Sequence, residues 1–402
     1  MNFFASCPRG IEEVLLKEAN HLNFEYVDVT RGGINFKSSP LKAITFLFET
    51  RVASRVFKEI GSFHFTSDKD LYKSAREIPW TKILNPNDSL KIETILSREI
   101  KRNFKNSHFI SLLLKDAIVD EFKDKAGKRP SIDLEDPLYP LTLRIEPHPS
   151  KKGYRGIVVL DLMGTPLFKR GYRVKGHEAP IKENLASGLL LLTNWDRKSC
   201  LVDPFCGSGT FLIEGTFLRH QISPLILLIK KRIEEKGTFL FENQKWFQKD
   251  KEIKTPLMNL FKEHFSHYQN AIQNFQVGEV VANDIDKRSL NYLVESWTIL
   301  NFPRKALRIE NVNATMFNSK KENKALIITN PPYGIRLEAP DKNLLKLYHD
   351  FGENLRTKWK GDVAYIVSQD PAFRKAIPLR TSQRTHFFNG PLECSLLRYD
   401  LS

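Results

Sequence analysis

Asparagine, two prolines and a tyrosine stand in a row at Asn330-Pro331-Pro332-Tyr333, directly after the apolar run Ala325-Leu326-Ile327-Ile328-Thr329. Such a run reads as a buried strand. Two prolines at its exit remove two backbone donors and fix the direction of the chain. The Pro331 carbonyl is left free to point outward. Together with the Asn330 side-chain oxygen it can accept both hydrogens of one amino group, while Tyr333 stacks on the ring that carries the amine. A planar conjugated amine held this way can direct its lone pair at a sulfonium methyl. Positioning and preorganised dipoles would then do most of the catalysis.

Two further segments supply what a ligand beside that amine would need. Leu201-Val202-Asp203-Pro204-Phe205-Cys206-Gly207-Ser208-Gly209-Thr210, followed by helical spacing from Phe211 to Leu218, reads as strand, glycine turn and helix. Glycines there let the backbone approach a ligand closely, and in a doubly wound sheet such a turn lies at the carboxyl edge, where ligands bind. A third glycine at dinucleotide spacing and a Gly-Lys-Ser/Thr phosphate loop are both missing, and the turn alone could be a tight connection. Asp203 is more pointed, because its carboxylate can meet a ligand's amino group. Val280-Val281-Ala282-Asn283-Asp284-Ile285-Asp286 is a second strand ending in acids. Asp284 is suited to both hydroxyls of a ribose, and Asp286 to capping the helix that follows from Ser289.

The elements around these motifs divide the chain. The first part predicts a helix from Arg9 and a hairpin of Phe24–Val29 with Ile34–Phe36. Next come a long amphipathic helix over Ile44–Ile60, a strand over Ser89–Thr94 and a helix over Ser107–Phe122. Strands over Leu141–Ile145 and Gly156–Leu162 close this part. From about residue 165 strands alternate with helices, the pattern of a mostly parallel doubly wound sheet. Residues 221–278 form an insertion between the first two strand motifs, expected to be a helical cap or an RNA contact.

A chain of 402 residues suggests two or three domains, and 41% hydrophobic content excludes wholesale disorder. Lys and Arg outnumber Asp and Glu by 62 to 47, a net charge of +15 that suits a polyanion. Basic residues cluster at Arg98, Lys101, Arg102 and Lys105, at Lys123, Lys125, Lys128 and Arg129, and at Lys151, Lys152 and Arg155. Phe104, Phe109 and Tyr154 are interleaved with them. Any one cluster could be a solvated face; three together point to a nucleic-acid surface. Cys7, Cys200, Cys206 and Cys394 are far apart, which argues against a disulfide framework or a metal site. The start lacks the basic and apolar segments of a signal peptide, and no apolar run is long enough to cross a bilayer. A cytoplasmic protein, a monomer or weak oligomer, is expected.

The motif pair Asp203–Thr210 with Asn330–Tyr333 resembles class I S-adenosylmethionine-dependent amino-methyltransferases. Further stretches are similar to the THUMP-containing RNA guanine-N2 methyltransferases: Phe4–Gly10, Lys115–Asp120, Arg170-Gly171-Tyr172-Arg173, Ala179–Ala186 and Asn389–Cys394. The likeness is greatest to the amino-terminal half of the large-subunit ribosomal RNA enzymes, and covers essentially the whole chain. It implies a ferredoxin-like subdomain at 1–42, a THUMP domain at 43–155, a linker at 156–164 and a Rossmann-like methyltransferase at 165–402. It also implies S-adenosylmethionine as cofactor, held by Asp203, Pro204, Cys206, Gly207, Gly209 and Thr210, with Asp284 on the ribose. Lys182, Glu183 and Asn184 would line the cofactor side, and Asn330, Pro331 and Tyr333 the target base. Asn313 stands where the family usually has an aspartate for the adenine amino group. Arg102, Lys105, Lys128, Arg129, Lys151, Lys152, Arg170 and Arg173 are the candidate RNA contacts. The implied partner is large-subunit RNA or a pre-ribosomal particle, with no metal. A transfer RNA guanine methyltransferase, a DNA adenine methyltransferase and an inactive RNA-binding assembly factor are the alternatives.

Overall fold

The computed structural model describes residues 1–97, 99–104, 106–174, 181–318, 324–333, 342–369 and 371–402. Arg98, Lys105 and Ala179, named above, lie outside the described residues.

The first part is one eight-stranded sheet. Its strands are β1 (Asn2–Ser6), β2 (Tyr26–Thr30), β3 (Gly33–Lys37), β4 (Arg55–Phe65), β5 (Ser89–Leu96), β6 (Ser131–Ile132), β7 (Tyr139–Pro147) and β8 (Tyr154–Asp161), in the order β2-β3-β1-β4-β8-β7-β5-β6. Helices α1 (Glu12–Asn20), α2 (Pro40–Glu49), α3 (Asp68–Arg76), α4 (Trp80–Ile83) and α5 (Ser107–Ala126) connect them.

Two expectations are corrected here. The long helix over 44–60 ends at Glu49, because the half-buried Glu18 carboxylate collects the Thr50 hydroxyl at 2.7 Å and the Arg51 and Val52 amides at 3.0 and 3.3 Å. The chain turns there and continues as β4, which pairs with both β1 and β8 and so runs one sheet through both amino-terminal units. The segment 156–164, expected as a linker, supplies most of β8.

The second part is α/β, with a seven-stranded sheet in the order β11-β10-β9-β12-β13-β15-β14, in which β15 alone runs against the common direction. In chain order its elements are α6 (Glu183–Leu192), β9 (Cys200–Asp203), α7 (Thr210–Arg219), α8 (Ile226–Glu234), α9 (Lys245–Lys249), α10 (Lys254–Gln273), β10 (Val280–Asn283), α11 (Lys287–Ile299), β11 (Leu307–Glu310), β12 (Ala325–Thr329), α12 (Lys342–Lys358), β13 (Val363–Ser368), α13 (Pro371–Ala376), β14 (Gln383–Asn389) and β15 (Leu392–Asp400). Both motif strands, β9 and β12, are central neighbours, and their exits lie on the same edge of the sheet. Among the described residues no helix is long and apolar enough to cross a membrane.

The cores cut across the expected domains. Residues of β1, α1, β3 and α2 share one apolar cluster with α6, α7 and the insertion, whereas β5, α5, β7 and β8 enclose a separate one. Trp246 packs against both. The insertion does not cap the glycine turn. Phe239 and Phe261 close around Phe48 of α2, with ring centroids 4.8 and 4.9 Å away. Lys245 inserts its ammonium between the Thr81 and Leu84 carbonyls, both at 2.9 Å, and its amide donates to the Tyr139 hydroxyl at 2.7 Å. The insertion is therefore a brace between the halves. Lys245→Ala should strip a charged donor from two carbonyls, costing about 2 kcal/mol. Hydrogen exchange around 81–84 should rise, and unchanged protection there would remove the brace role.

Candidate active site

At the exit of β9 the chain needs two left-handed residues, and glycine supplies both: Gly207 has φ +52° and Gly209 φ +76°. The turn is also pressed onto α11, since a Cβ on Gly209 would lie 2.3 Å from Leu293 Cδ1. Gly207 N donates to Asp284 Oδ2 at 2.8 Å, and Asp286 N to Asp284 Oδ1 at 2.9 Å. Asp284 thus anchors the turn to the exit of β10. Asp286 caps α11 by accepting from Arg288 N at 3.0 Å.

A residue the sequence reading passed over ties these loops together. Asn283, fully buried, donates to the Pro204 and Val312 carbonyls, both at 3.0 Å, and accepts from Val312 N at 3.1 Å. A polar residue closing the apolar strand Val280-Val281-Ala282 was the available signal. Pro204 and Cys206 are accordingly wall residues: Cys206 N continues the ladder to Asn283 O at 2.9 Å, and burial pushes its thiol far up.

Asp203 is 2% exposed. One of its oxygens accepts from Thr329 Oγ1 at 2.6 Å and from Phe205 N at 3.1 Å, which joins the exits of β9 and β12. Burial pushes its carboxyl up to about 7, against the lowering effect of those two donors and with a further push from Asp284. Among the described residues its other oxygen has no partner.

Asn330 follows Thr329 on that shared edge. Tyr333 does not stand free to stack; it folds back, and its hydroxyl donates to Asn330 Oδ1 and lies 3.3 Å from the Val367 carbonyl. Burial raises its pKa far above the usual phenol range. Tyr348 donates to the Pro332 carbonyl at 2.7 Å. The Pro331 carbonyl accepts nothing among the described residues, and the Asn330 oxygen is covered by the Tyr333 hydroxyl.

Two of the candidate RNA-contact arginines point inward. Arg170 is not an RNA contact but 1% exposed, donating to the Leu167 and Arg51 carbonyls at 2.7 and 2.5 Å beside Glu214. Glu214 also accepts from Tyr172 at 2.9 Å and Ser187 at 2.5 Å. Arg173 turns inward over the glycine turn. Its Nε donates to Glu183 at 2.9 Å, and its terminal nitrogens lie 3.5 and 3.4 Å from the hydroxyls of Ser208 and Thr210. Asn184, expected on the cofactor side, is wholly buried and donates to the Val52 carbonyl and Ser54 hydroxyl at 3.0 and 2.9 Å, a tie between the halves. Lys182 lies over the Phe168 ring at 4.5 Å. Asn313 spends its oxygen on the Thr315 amide and hydroxyl, both at 3.0 Å, so it has no acceptor left for an adenine amine.

The basic clusters separate. Asn103 bonds the Tyr154 hydroxyl at 3.1 Å and Phe104 packs edge-on to Tyr154 at 4.8 Å, bringing Arg102 to the β7–β8 tip with Lys151 and Lys152. His64 bonds the Lys152 carbonyl at 2.8 Å in the same group. Lys128 and Arg129 follow the far end of α5, roughly 30 Å away along a 20-residue helix. Among the described residues no cluster of three potential metal ligands occurs.

Comparison with known proteins agrees with this architecture. Residues 170–398 match the family model of the RMKL-like methyltransferase domain, residues 65–148 the THUMP domain and residues 2–57 the RlmL ferredoxin-like domain. The ribosomal RNA large subunit methyltransferase K/L of Syntrophotalea carbinolica is 32% identical over 412 aligned residues, covering 100% of this chain and 54% of that protein. The chain spans about half the length of the curated relatives it matches. A possible methylase from Clostridium difficile 630 superposes with a TM-score of 0.81 at 25% identity, covering 100% of this chain and 98% of that one. SMU.472, solved in complex with SAH, does so with 0.81 at 26% identity and the same coverage.

Proposed function

The chain belongs to the RMKL-like methyltransferase family, and from that premise we propose that it transfers a methyl group from S-adenosylmethionine to the exocyclic N2 amino group of a guanine in RNA, in particular large-subunit ribosomal RNA. The Asp203–Thr329 bond carries this reading, because it joins a cofactor-type glycine turn to an amine-gripping Asn-Pro-Pro-Tyr exit. The THUMP match and the curated relatives' names support RNA over DNA.

The residues fit the cofactor. Asp203 would offer its second oxygen to the methionine ammonium, the glycine turn leaves a cradle that side chains would fill, and Asp284 would take the ribose. Arg173, over the glycine turn, would meet the methionine carboxylate, and the Asn313 amide nitrogen would be available to an adenine ring nitrogen. Bound there, S-adenosylmethionine would supply an activated methyl on a sulfonium. Asn330 Oδ1 and the Pro331 carbonyl hold the guanine amine so that its lone pair points along the transfer axis, and the Tyr333 ring, once displaced, packs on the base. As the nitrogen takes the methyl, the sulfonium–methyl bond would break to leave the thioether S-adenosylhomocysteine, and the nitrogen would release one proton to solvent. A guanine in a helix must leave its stack to arrive, at a cost of roughly a few kcal/mol.

Asp203 also sets a pH dependence. A carboxyl raised from 3.8 to about 7 favours the protonated folded state, so its contribution to stability is present below about pH 4 and lost as pH rises to about 7. Cofactor affinity runs the other way, since the ammonium needs the carboxylate. Calorimetry should show Kd falling about tenfold for each pH unit up to about 7 and levelling above it. A flat profile between pH 5.5 and 8 would detach Asp203 from the methionine end.

The direct test offers labelled S-adenosylmethionine and the protein to unmodified large-subunit RNA, transfer RNA and duplex DNA, with the product nucleoside identified by mass spectrometry. N2-methylguanosine in large-subunit RNA is expected. The same nucleoside in transfer RNA alone would change the substrate, and label in none of them would overturn the reading.

A further inference from the structure

A cavity of about 230 Å³ opens where three distant stretches meet: Cys7 and Arg9 before α1, Lys182 and Asn184 at the start of α6, and Phe388 and Asn389 at the β14–β15 tip. Its position follows from the sheet. β15 runs antiparallel to β13 with Ser395 opposite Ser368, so the tip beyond it projects past the edge at which β12 delivers Asn330. Three strand spacings, about 14 Å, separate β14 from β12. On the other side, Lys182 adjoins Glu183, the partner of Arg173 over the glycine turn. The cavity therefore sits on the rim of the candidate active site.

Its chemistry is that of an anion site with one unmet acceptor. The Arg9 guanidinium lies 3.8 Å from the Phe388 ring centroid and the Lys182 ammonium 4.5 Å from that of Phe168; among the described residues neither has a carboxylate partner. The nearby acids are already engaged. Glu12 accepts from the Gly10 and Gly32 amides at 2.6 and 2.8 Å, Glu183 pairs with Arg173, and Glu393 lies 3.5 Å from His386. α6 begins just after Lys182 with no side chain capping its first amides, which adds partial positive charge. The Asn184 side-chain oxygen is buried without a partner. Its orientation is fixed, because the amide nitrogen must face the Val52 carbonyl. An occupant that brings a phosphate and a hydroxyl donor satisfies all of these groups.

We propose that this cavity receives the RNA nucleotide adjoining the target guanine, with its phosphate on Arg9 and Lys182 and its ribose hydroxyl toward Asn184. The proposal rests on the RNA methyltransferase reading above and adds a substrate subsite shared by the amino-terminal loop and the catalytic half. Held there, the neighbouring nucleotide fixes the strand while the target base leaves its stack.

The test compares wild type, Arg9→Met and Lys182→Met on an RNA fragment that wild type methylates. Methionine keeps an apolar stem over each ring. KM for RNA should rise about tenfold in each variant, with S-adenosylmethionine affinity unchanged in Arg9→Met. The slope of log affinity against log salt should fall by about 0.7 for each lost cation. A neutral methylphosphonate replacing the phosphate on either side of the target should, at one of the two positions, weaken binding to wild type by the same factor and leave the variants unaffected. That arm needs no altered protein. An unchanged KM in both variants, or indifference of wild type to both methylphosphonates, overturns the subsite while leaving the methyltransferase reading intact. Failure of wild type to methylate any RNA overturns both.

Discussion

Asn330→Ala is expected to slow methyl transfer by about 10²–10³-fold while leaving S-adenosylmethionine affinity unchanged. The magnitude is that of removing one preorganised polar group aimed at the reacting atoms. The Asn330 oxygen and the Pro331 carbonyl are the pair proposed to grip the amine at the exit of β12, and alanine removes the one of the pair that a substitution can reach. The cofactor would be held by β9, β10 and the turn between Asp203 and Thr210, none of which depends on the Asn330 side chain. The same substitution frees the Tyr333 hydroxyl from its Asn330 partner, so a merely structural Asn330 would show itself as a lower melting temperature with little loss of rate. Single-turnover kinetics at saturating RNA, with calorimetry for the cofactor, separate the two. A rate within about threefold of wild type would end the amine-gripping role.

Asp284→Ala should reach further back, to cofactor binding itself. Its two oxygens already hold the Gly207 and Asp286 amides at 2.8 and 2.9 Å, and the remaining lone pairs are the ones proposed for the ribose diol. Each charge-assisted hydrogen bond contributes about 1.5–3 kcal/mol. Losing the ribose bonds and loosening the turn together should weaken S-adenosylmethionine at least about a hundredfold. Asp286, the cap of α11, offers a control on the same loop: the helix end should suffer from its loss more than the ligand does. A near-normal Kd for Asp284→Ala would move the ribose elsewhere.

The brace formed by residues 221–278 bears on how the proposed site would meet an RNA substrate. The ferredoxin-like strands share their core with the methyltransferase half, while the THUMP strands enclose their own and are tied on by Lys245, Gln244 and Trp246. The basic end carrying Arg102, Lys151 and Lys152 lies at the opposite end of β7 from that tie. RNA held there would be presented to the site at a set distance.

What the sequence determined by itself is whatever neighbours in the chain decide. The glycine turn, the capping role of Asp286, the hairpin of β2 and β3, the alternation that makes a mostly parallel sheet and the prolines at the exit of β12 all rest on dihedral preference or on periodicity over a few residues. The tertiary structure alone decided the fate of side chains whose partners lie far along the chain. Arg170 looks like a surface cation until the Arg51 carbonyl and Glu214 enclose it. Asn184 looks like a cofactor residue until Val52 and Ser54 claim it. The helical spacing through Val52, Ala53, Val56 and Phe57 survives intact in the sequence, yet three bonds to Glu18 end α2 and make the rest a strand. Tyr333 and Asn313 carry the expected groups but spend them on Asn330 and Thr315. A buried polar group must find a partner wherever the fold supplies one, and which partner that is depends on contacts that no local pattern records.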